Sequence, residues 1–202
     1  MEKIAIFGAT GMTGLCVIEA ALNKGLKPKI LVRDSSKVPD GPKTQLGIIE
    51  GNVLNYPDVL KTVQDTNGVI VTLGTRNSLE PTTDMSDGLK NIIRAMKECN
   101  IEVISVCLSA FLFHDPGSSK VPAIFHDVTA DHKRMFDLLM ESGLKYVAAF
   151  PPHIADEPAR GYQVEHDKYI SRVITKYDLG QFLVDSLTLP EHFGHIIGLA
   201  SK

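Results

Sequence analysis

Residues 4–14 read Ile4-Ala5-Ile6-Phe7-Gly8-Ala9-Thr10-Gly11-Met12-Thr13-Gly14. An apolar run without alternation predicts a strand buried on both faces. The three glycines that follow, spaced three apart, demand a backbone that turns sharply and admits close approach. Met12 to Lys24 predicts a helix, with Gly25 as a left-handed cap. Strand, glycine turn and helix together open a βαβ unit.

The rest of the chain repeats that alternation. Further strands are expected at 29–33, 45–53, 68–74, 102–108, 146–150 and 194–200. Helices are expected at 58–66, 84–99, 128–142 and 176–187. In the second of these, Leu89, Ile92, Ile93 and Met96 mark the apolar face. The expected fold is therefore α/β: one Rossmann-like, doubly wound parallel sheet with helices on both faces. A single unit over 1–202 is expected. Its Pro- and Gly-containing stretches at about 109–125 and 151–170 follow strands, where such sheets place substrate walls.

Composition narrows the function classes. The 202 residues carry a formal charge of −3, with 44% hydrophobic and 22% charged residues. Nothing in the bulk charge points to nucleic acid. No apolar run approaches the roughly 20 residues of a membrane span. Cys16, Cys99 and Cys107 lack disulfide-framework or zinc spacing, and the histidines lack metal-ligand spacing. The start lacks the pattern of a signal peptide, so a cytoplasmic protein is expected.

The glycine turn carries the first chemical reading. Gly8 leaves the turn unblocked, Gly11 lets the helix start approach a pyrophosphate, and Gly14 lets helix pack on strand. The free amides and positive dipole end at Met12-Thr13 then face the anion. The spacing, G-x-x-G-x-x-G, resembles that of the atypical short-chain dehydrogenase/reductases. The second strand ends in Arg33-Asp34-Ser35-Ser36-Lys37. Asp34 stands at the distance of a ribose-binding acid, but a carboxylate repels a 2′-phosphate. Arg33, Lys37 and two hydroxyls suit that dianion, so NADPH (NADP+) is the expected cofactor.

The usual acid of these enzymes, Tyr-x-x-x-Lys, is missing. Four residues after Tyr56, Tyr146, Tyr162, Tyr169 and Tyr177 come Leu60, Phe150, His166, Val173 and Gln181. The chain either binds cofactor without catalysis, as an NADP(H) sensor, or reduces a conjugated acceptor that takes hydride into a π-system. A sugar-nucleotide epimerase is disfavoured, because it needs that tyrosine–lysine pair.

Six stretches carry a more specific resemblance: KIAIFGATGMTG (3–14), LVRDSSKVP (31–39), LGTRNSLEPTT (73–83), SAFLFHDP (109–116), SGLKYVAAFPPHI (142–154) and SRVITKYDLG (171–180). In these the chain resembles the NADPH-dependent flavin reductase/biliverdin-IXβ reductase family, in order and over nearly its whole length. The resemblance implies a monomeric cytosolic oxidoreductase of heme degradation and flavin reduction. Its substrates would be small molecules: FMN, FAD, riboflavin and biliverdin IXβ. It implies that Gly8, Thr10, Gly11, Met12 and Thr13 hold the pyrophosphate and Arg33 the 2′-phosphate. Lys37 stands where the family has a second arginine. Asn52-Val53 stands at the adenine in place of Asp-Val. Leu73, Gly74, Thr75 and Arg76 line the ribose and nicotinamide. Pro151, Pro152, His153 and Ile154 form the loop holding the nicotinamide ring, and Phe111 lines the substrate side. His114 replaces a tryptophan, and Gly117-Ser118-Ser119 alters a loop, which bears on acceptor preference.

Ser109, at the end of the fifth strand, is expected to orient or polarise the acceptor. Arg76 also suits an anionic substrate. His132 is placed on the substrate side, where a proton donor or a solvated helix histidine are the two readings, the second being favoured. Lys176 and Asp178 read as capping and solvation at a helix start.

Overall fold

The computed structural model describes residues 1–115, 118–170 and 173–202. Gly117, expected in the altered loop, lies outside the described residues.

The main sheet is built from β1 (Lys3–Phe7), β2 (Lys27–Val32), β3 (Gly47–Glu50), β4 (Gly68–Val71), β5 (Val103–Cys107), β6 (Lys145–Phe150), β8 (Tyr162–His166) and β10 (His195–Ser201). Their order is β3-β2-β1-β4-β5-β6-β10-β8. All neighbours run parallel except β8, which pairs antiparallel with β10. A second, two-stranded parallel sheet pairs β7 (His153–Ala155) with β9 (Val173–Thr175). Helices are α1 (Met12–Asn23), α2 (Asp40–Lys43), α3 (Tyr56–Val63), α4 (Asp84–Glu98), α5 (His126–Met140) and α6 (Lys176–Asp185).

Two cores result. Ile4 and Ile6 of β1 join Val17, Ile18, Phe182 and Leu183 beneath α1 and α6. Ala5 and Phe7, on the alternate face, join Val59, Leu89, Ile92 and Met135 beneath α3, α4 and α5. That double burial is why the strand reads as an unbroken apolar run. Gly25 takes φ +73° after α1, as its cap position requires.

Two short strands, β7 and β8, stand where sequence reading expected loop, and a third, β9, in a stretch for which no element was expected. Each is three to five residues long and lacks a continuous apolar run. β8 alternates, with Tyr162 and Val164 partly covered and Gln163 and Glu165 exposed. Asp178 corrects a further expectation. It is not solvated but 3% exposed, accepting from Thr175 Oγ1 (2.8 Å), Ser201 Oγ (2.5 Å) and the Gly161 amide (3.0 Å). The helix cap is Thr175, whose hydroxyl accepts from the Asp178 amide. Lys176 pairs with Asp156 at 2.6 Å.

Candidate nucleotide and acceptor site

The strand order reverses between β1 and β4, and a crevice of about 430 Å³ opens at their carboxyl ends. This is where doubly wound sheets place ligands. A larger, more open hollow of about 960 Å³ lies between α1, α6 and residues 156–162. Glu19, Asp156 and Glu157 line it, and no phosphate-binding turn does. The crevice is therefore the site.

Sterics select the residues of its floor. Gly8 has φ +81°, and an added Cβ would overlap the Thr72 carbonyl of the neighbouring strand end. A Cβ on Gly14 would overlap the Gly8 carbonyl and the Ala9 backbone. Gly11 is the helix N-cap, with φ −79° and ordinary extended backbone. Its amide donates to Gly8 O at 3.0 Å, which closes the turn. The Met12, Thr13 and Gly14 amides belong to the first helical turn, which has no intrahelical acceptors. A tight turn that only glycine permits, delivering unpaired main-chain donors at a helix start, is what a pyrophosphate requires, so the residues present fit a dinucleotide.

Arg33 leaves the end of β2, exposed at the rim, and lines both the crevice and an adjoining hollow of about 250 Å³. Asp34 caps the short 3-10 turn that follows. Its Oδ1 accepts from the Ser36 hydroxyl (2.6 Å) and amide (3.0 Å), and its Oδ2 lies 3.7 Å from Lys37 Nζ. The Ser36 hydroxyl and amide hold the Asp34 carboxyl below its usual range, assisted by Lys37. Lys37 stands outside the crevice lining, paired to Asp34. After β3, the Asn52 amide donates to Asp58 Oδ2 (2.9 Å) and Asn52 Oδ1 accepts from Leu54 (3.0 Å). That leaves its NH2 group as what it offers a ligand. The Val53 carbonyl is held by Asn91 at 3.0 Å. Thr10, Gly11, Met12, Thr13, Asn52, Val53, Leu73, Gly74, Thr75 and Arg76 all line the crevice. Arg76 and Asn77 take φ +54° and +69°, so two consecutive non-glycine residues sit in the left-handed region at its wall.

The other end of the crevice is formed by Cys107, Leu108, His132 and Ile154. Fully buried Asp131 pins α5 to the start of α4, accepting from Ser86 Oγ (2.5 Å) and the Met85 amide (3.2 Å). That bond fixes the adjoining His132. The favoured expectation of a solvated histidine is corrected here. The ring is largely buried, with an edge on the crevice, and its Nδ1 has no hydrogen-bond partner among the described residues. Burial pushes its pKa down to about 4, against the pull of Asp131. At neutral pH it is an uncharged imidazole, not a ready acid. Cys107 is likewise pushed up to about 12 by burial, so its thiol stays protonated.

Ser109, Phe111, Pro152 and His153 stand beside the crevice and not in its lining. Ser109 caps the 3-10 turn at Ala110–Phe113, its Oγ accepting from Phe111 N at 3.3 Å. Phe111 stacks on Phe125 with centroids 5.4 Å apart. His153, on β7, is exposed, while Ile154 beside it reaches the crevice. His114 ends the 3-10 turn, its amide bonded to Phe111 O. Among the lining residues that sequence reading missed are Thr72, Asn77, Asp84, Met85, Cys107 and Leu108. Thr72 carried a signal, as the first polar residue of the β4 run.

Fold and crevice define a nucleotide-binding α/β protein of the Rossmann type. The profile of the NAD(P)H-binding family matches residues 8–190, and the chain belongs to that family. Across its whole length it is 26% identical to an uncharacterized chloroplastic protein of Arabidopsis thaliana, covering 77% of that protein. Among solved structures it is similar to a Rossmann-fold NAD(P)-binding family protein of Shigella flexneri, with TM-score 0.79, 23% identity and 100% and 94% of the two chains covered. It is also similar to a short-chain dehydrogenase/reductase of Veillonella parvula in complex with NADP, with TM-score 0.80, 15% identity and 99% and 94% covered. At such identities these structures speak to the fold. Among the described residues no helix is long and apolar enough to cross a membrane.

Proposed function

We propose that the chain is an NADPH-dependent reductase of flavins (FMN, FAD, riboflavin) and biliverdin IXβ. It would act as a cytoplasmic monomer and a single unit, with 109–125 and 151–170 as its acceptor walls. The observation that carries this reading is the make-up of the crevice. It joins a pyrophosphate cradle to an acceptor end whose lining, among the described residues, contains no tyrosine or lysine, and whose one histidine is held neutral. NADPH supplies the hydride when bound.

The chain's own work is positional. The Gly8–Thr13 turn holds the pyrophosphate. Arg33 meets the 2′-phosphate with the Ser35 hydroxyl, while Ser36 is engaged by Asp34, whose negative charge Lys37 offsets at 3.7 Å. Asn52 and Val53 face the adenine. Leu73 to Arg76 and Pro152 to Ile154 flank the ribose and ring. Phe111, Ser109 and neutral His132 lie on the acceptor side, where hydrogen bonds orient a flat molecule and solvent delivers the proton. An acceptor that spreads charge over a π-system needs no stronger acid. That the Veillonella relative is recorded with NADP supports the cofactor choice.

The test is NADPH oxidation followed at 340 nm with FMN and with biliverdin IXβ. Oxidation above the protein-free blank is expected with both. None with either acceptor, while NADPH still binds, would leave the chain a non-catalytic NADP(H) sensor.

A further inference from the structure

The far edge of the sheet carries a cluster of imidazoles that the crevice does not use. His166 ends β8, His192 sits in the short 3-10 turn Pro190–His192, and His195 begins β10. His166 Nε2 meets His192 Nδ1 at 2.8 Å. The His195 ring stacks on His166, with centroids 4.4 Å apart and planes 9° apart. His195 Nδ1 lies 2.8 Å from Asp167 Oδ2. The pair at 2.8 Å is a hydrogen bond only while one imidazole is neutral, because one nitrogen must donate and the other accept. With both rings protonated, two N–H donors and two positive charges face each other.

The cluster anchors a specific segment. Asp167 turns the chain at φ +57°. Its amide donates to Ile196 O (2.7 Å), and its Oδ1 accepts from Ile196 N (3.0 Å). Residues 167–170 then cross the sheet face over β10. The crossing is so close that a Cβ on Gly198 would overlap the Lys168 carbonyl. At its end the Tyr169 ring lies 6.0 Å from Phe113, which in turn packs edge-on against Phe150 at 5.1 Å. Phe113 belongs to the 3-10 turn that Ser109 caps.

We infer that this corner is an acid-sensitive latch: protonation of the His166–His192 pair frees the end of β8 and the 167–170 strap from β10. His192 is 8% exposed and packed against Phe182 of α6, with ring centroids 5.6 Å apart. The titratable groups around it are His166 from β8, His195 from β10 and Glu191 beside it, while Asp167 holds His195. Desolvation, then His166, hold its pKa below the ordinary 6.5, against the pull of Glu191. A base with a lowered folded pKa takes up its proton more readily once opened. The closed corner is therefore favoured above pH 6.5 and weakens as pH falls below it. The strap touches the acceptor-side turn, so any effect on reduction rests on the function proposed above, whereas the latch itself does not.

Amide hydrogen exchange on the full chain, at several values from pH 7.5 to 5.5 and corrected for intrinsic rates, tests it without any substrate. Protection of residues 162–167 is expected to fall with acid by up to about tenfold per pH unit for one proton taken up. Protection of β1 and β4 should stay higher throughout, because those strands, with their apolar residues fully buried, open only with the whole fold. His192→Gln, which keeps an acceptor for His166, should abolish the local slope. His166→Gln, at an exposed position, should reduce it. Edge protection equal to that of β1 and β4, no slope at the edge, or a full slope retained in a folded variant would each overturn the latch.

Discussion

The two ends of the crevice are built differently. The nucleotide end is mostly main chain. The turn after β1, the first amides of α1 and the ends of β2, β3 and β4 form it, and side chains matter chiefly by their absence at Gly8 and Gly14. The acceptor end is side chain, gathered from β5, α5 and β7 through Leu108, His132 and Ile154. A main-chain site is specified by local spacing. A side-chain site is specified by whatever tertiary packing brings together.

Gly8→Ala tests that contrast most severely. It places a Cβ at φ +81° and against the Thr72 carbonyl, so backbone strain and overlap add. The expected loss is about 2–6 kcal/mol of stability, read from urea denaturation, together with nucleotide binding. Gly11→Ala should cost far less, because its Cβ would meet a single atom, Gly8 O, at 3.3 Å. Equal losses at the two positions would mean that sterics do not shape the turn.

The same contrast explains what the sequence made legible. The β1 run, the glycine spacing and the apolar stripe of α4 each encode their structure within a few residues, and the parallel sheet with helices on both faces followed from the βαβ alternation. Most lining residues of the nucleotide end were named from the motifs. What stayed hidden depends on distant partners. His132 sits on a helix with charged neighbours and reads as solvated. Only the Asp131 bond to the start of α4, 45 residues away from Ser86, turns it inward. The edge strand β8 pairs across 31 or more residues with β10 and lacks the apolar content that marks the interior strands. Lys37 looked like a phosphate ligand by position, yet it is turned to Asp34.

His132 gives the acceptor end its own test. Its folded pKa of about 4 lies below the ordinary 6.5. The unfolded chain therefore binds this proton first as pH falls, and stability is lost between pH 6.5 and about 4, where the folded ring also protonates. The gap corresponds to a loss on the order of 3 kcal/mol. His132→Phe should remove that part of the acid slope, seen as the difference between variant and parent in urea midpoints across this range. The difference isolates His132 from carboxylates that titrate in both proteins. An unchanged slope would return the ring to solvent and leave the acceptor end without a buried base.

Arg33→Ala asks the smallest energy and discriminates best at the nucleotide end, where one side chain supplements the main-chain cradle. Arg33 lies at the rim where β2 ends, and Asp34, the carboxylate that would otherwise select a free ribose hydroxyl, is held by Ser36 and Lys37. A charge-assisted bond to a 2′-phosphate is worth about 1.5–3 kcal/mol, or roughly 10- to 150-fold in affinity. Calorimetry should show NADPH binding weakened by that factor and NADH binding nearly unchanged, since NADH lacks the 2′-phosphate. Equal weakening of both would place Arg33 elsewhere on the nucleotide. A loss for neither would move the discrimination to the Ser35–Lys37 turn. Raising salt should weaken NADPH more than NADH, because an exposed charge contact is screened within a Debye length of about 8 Å at physiological ionic strength, whereas the pyrophosphate contact that both share cancels in the comparison.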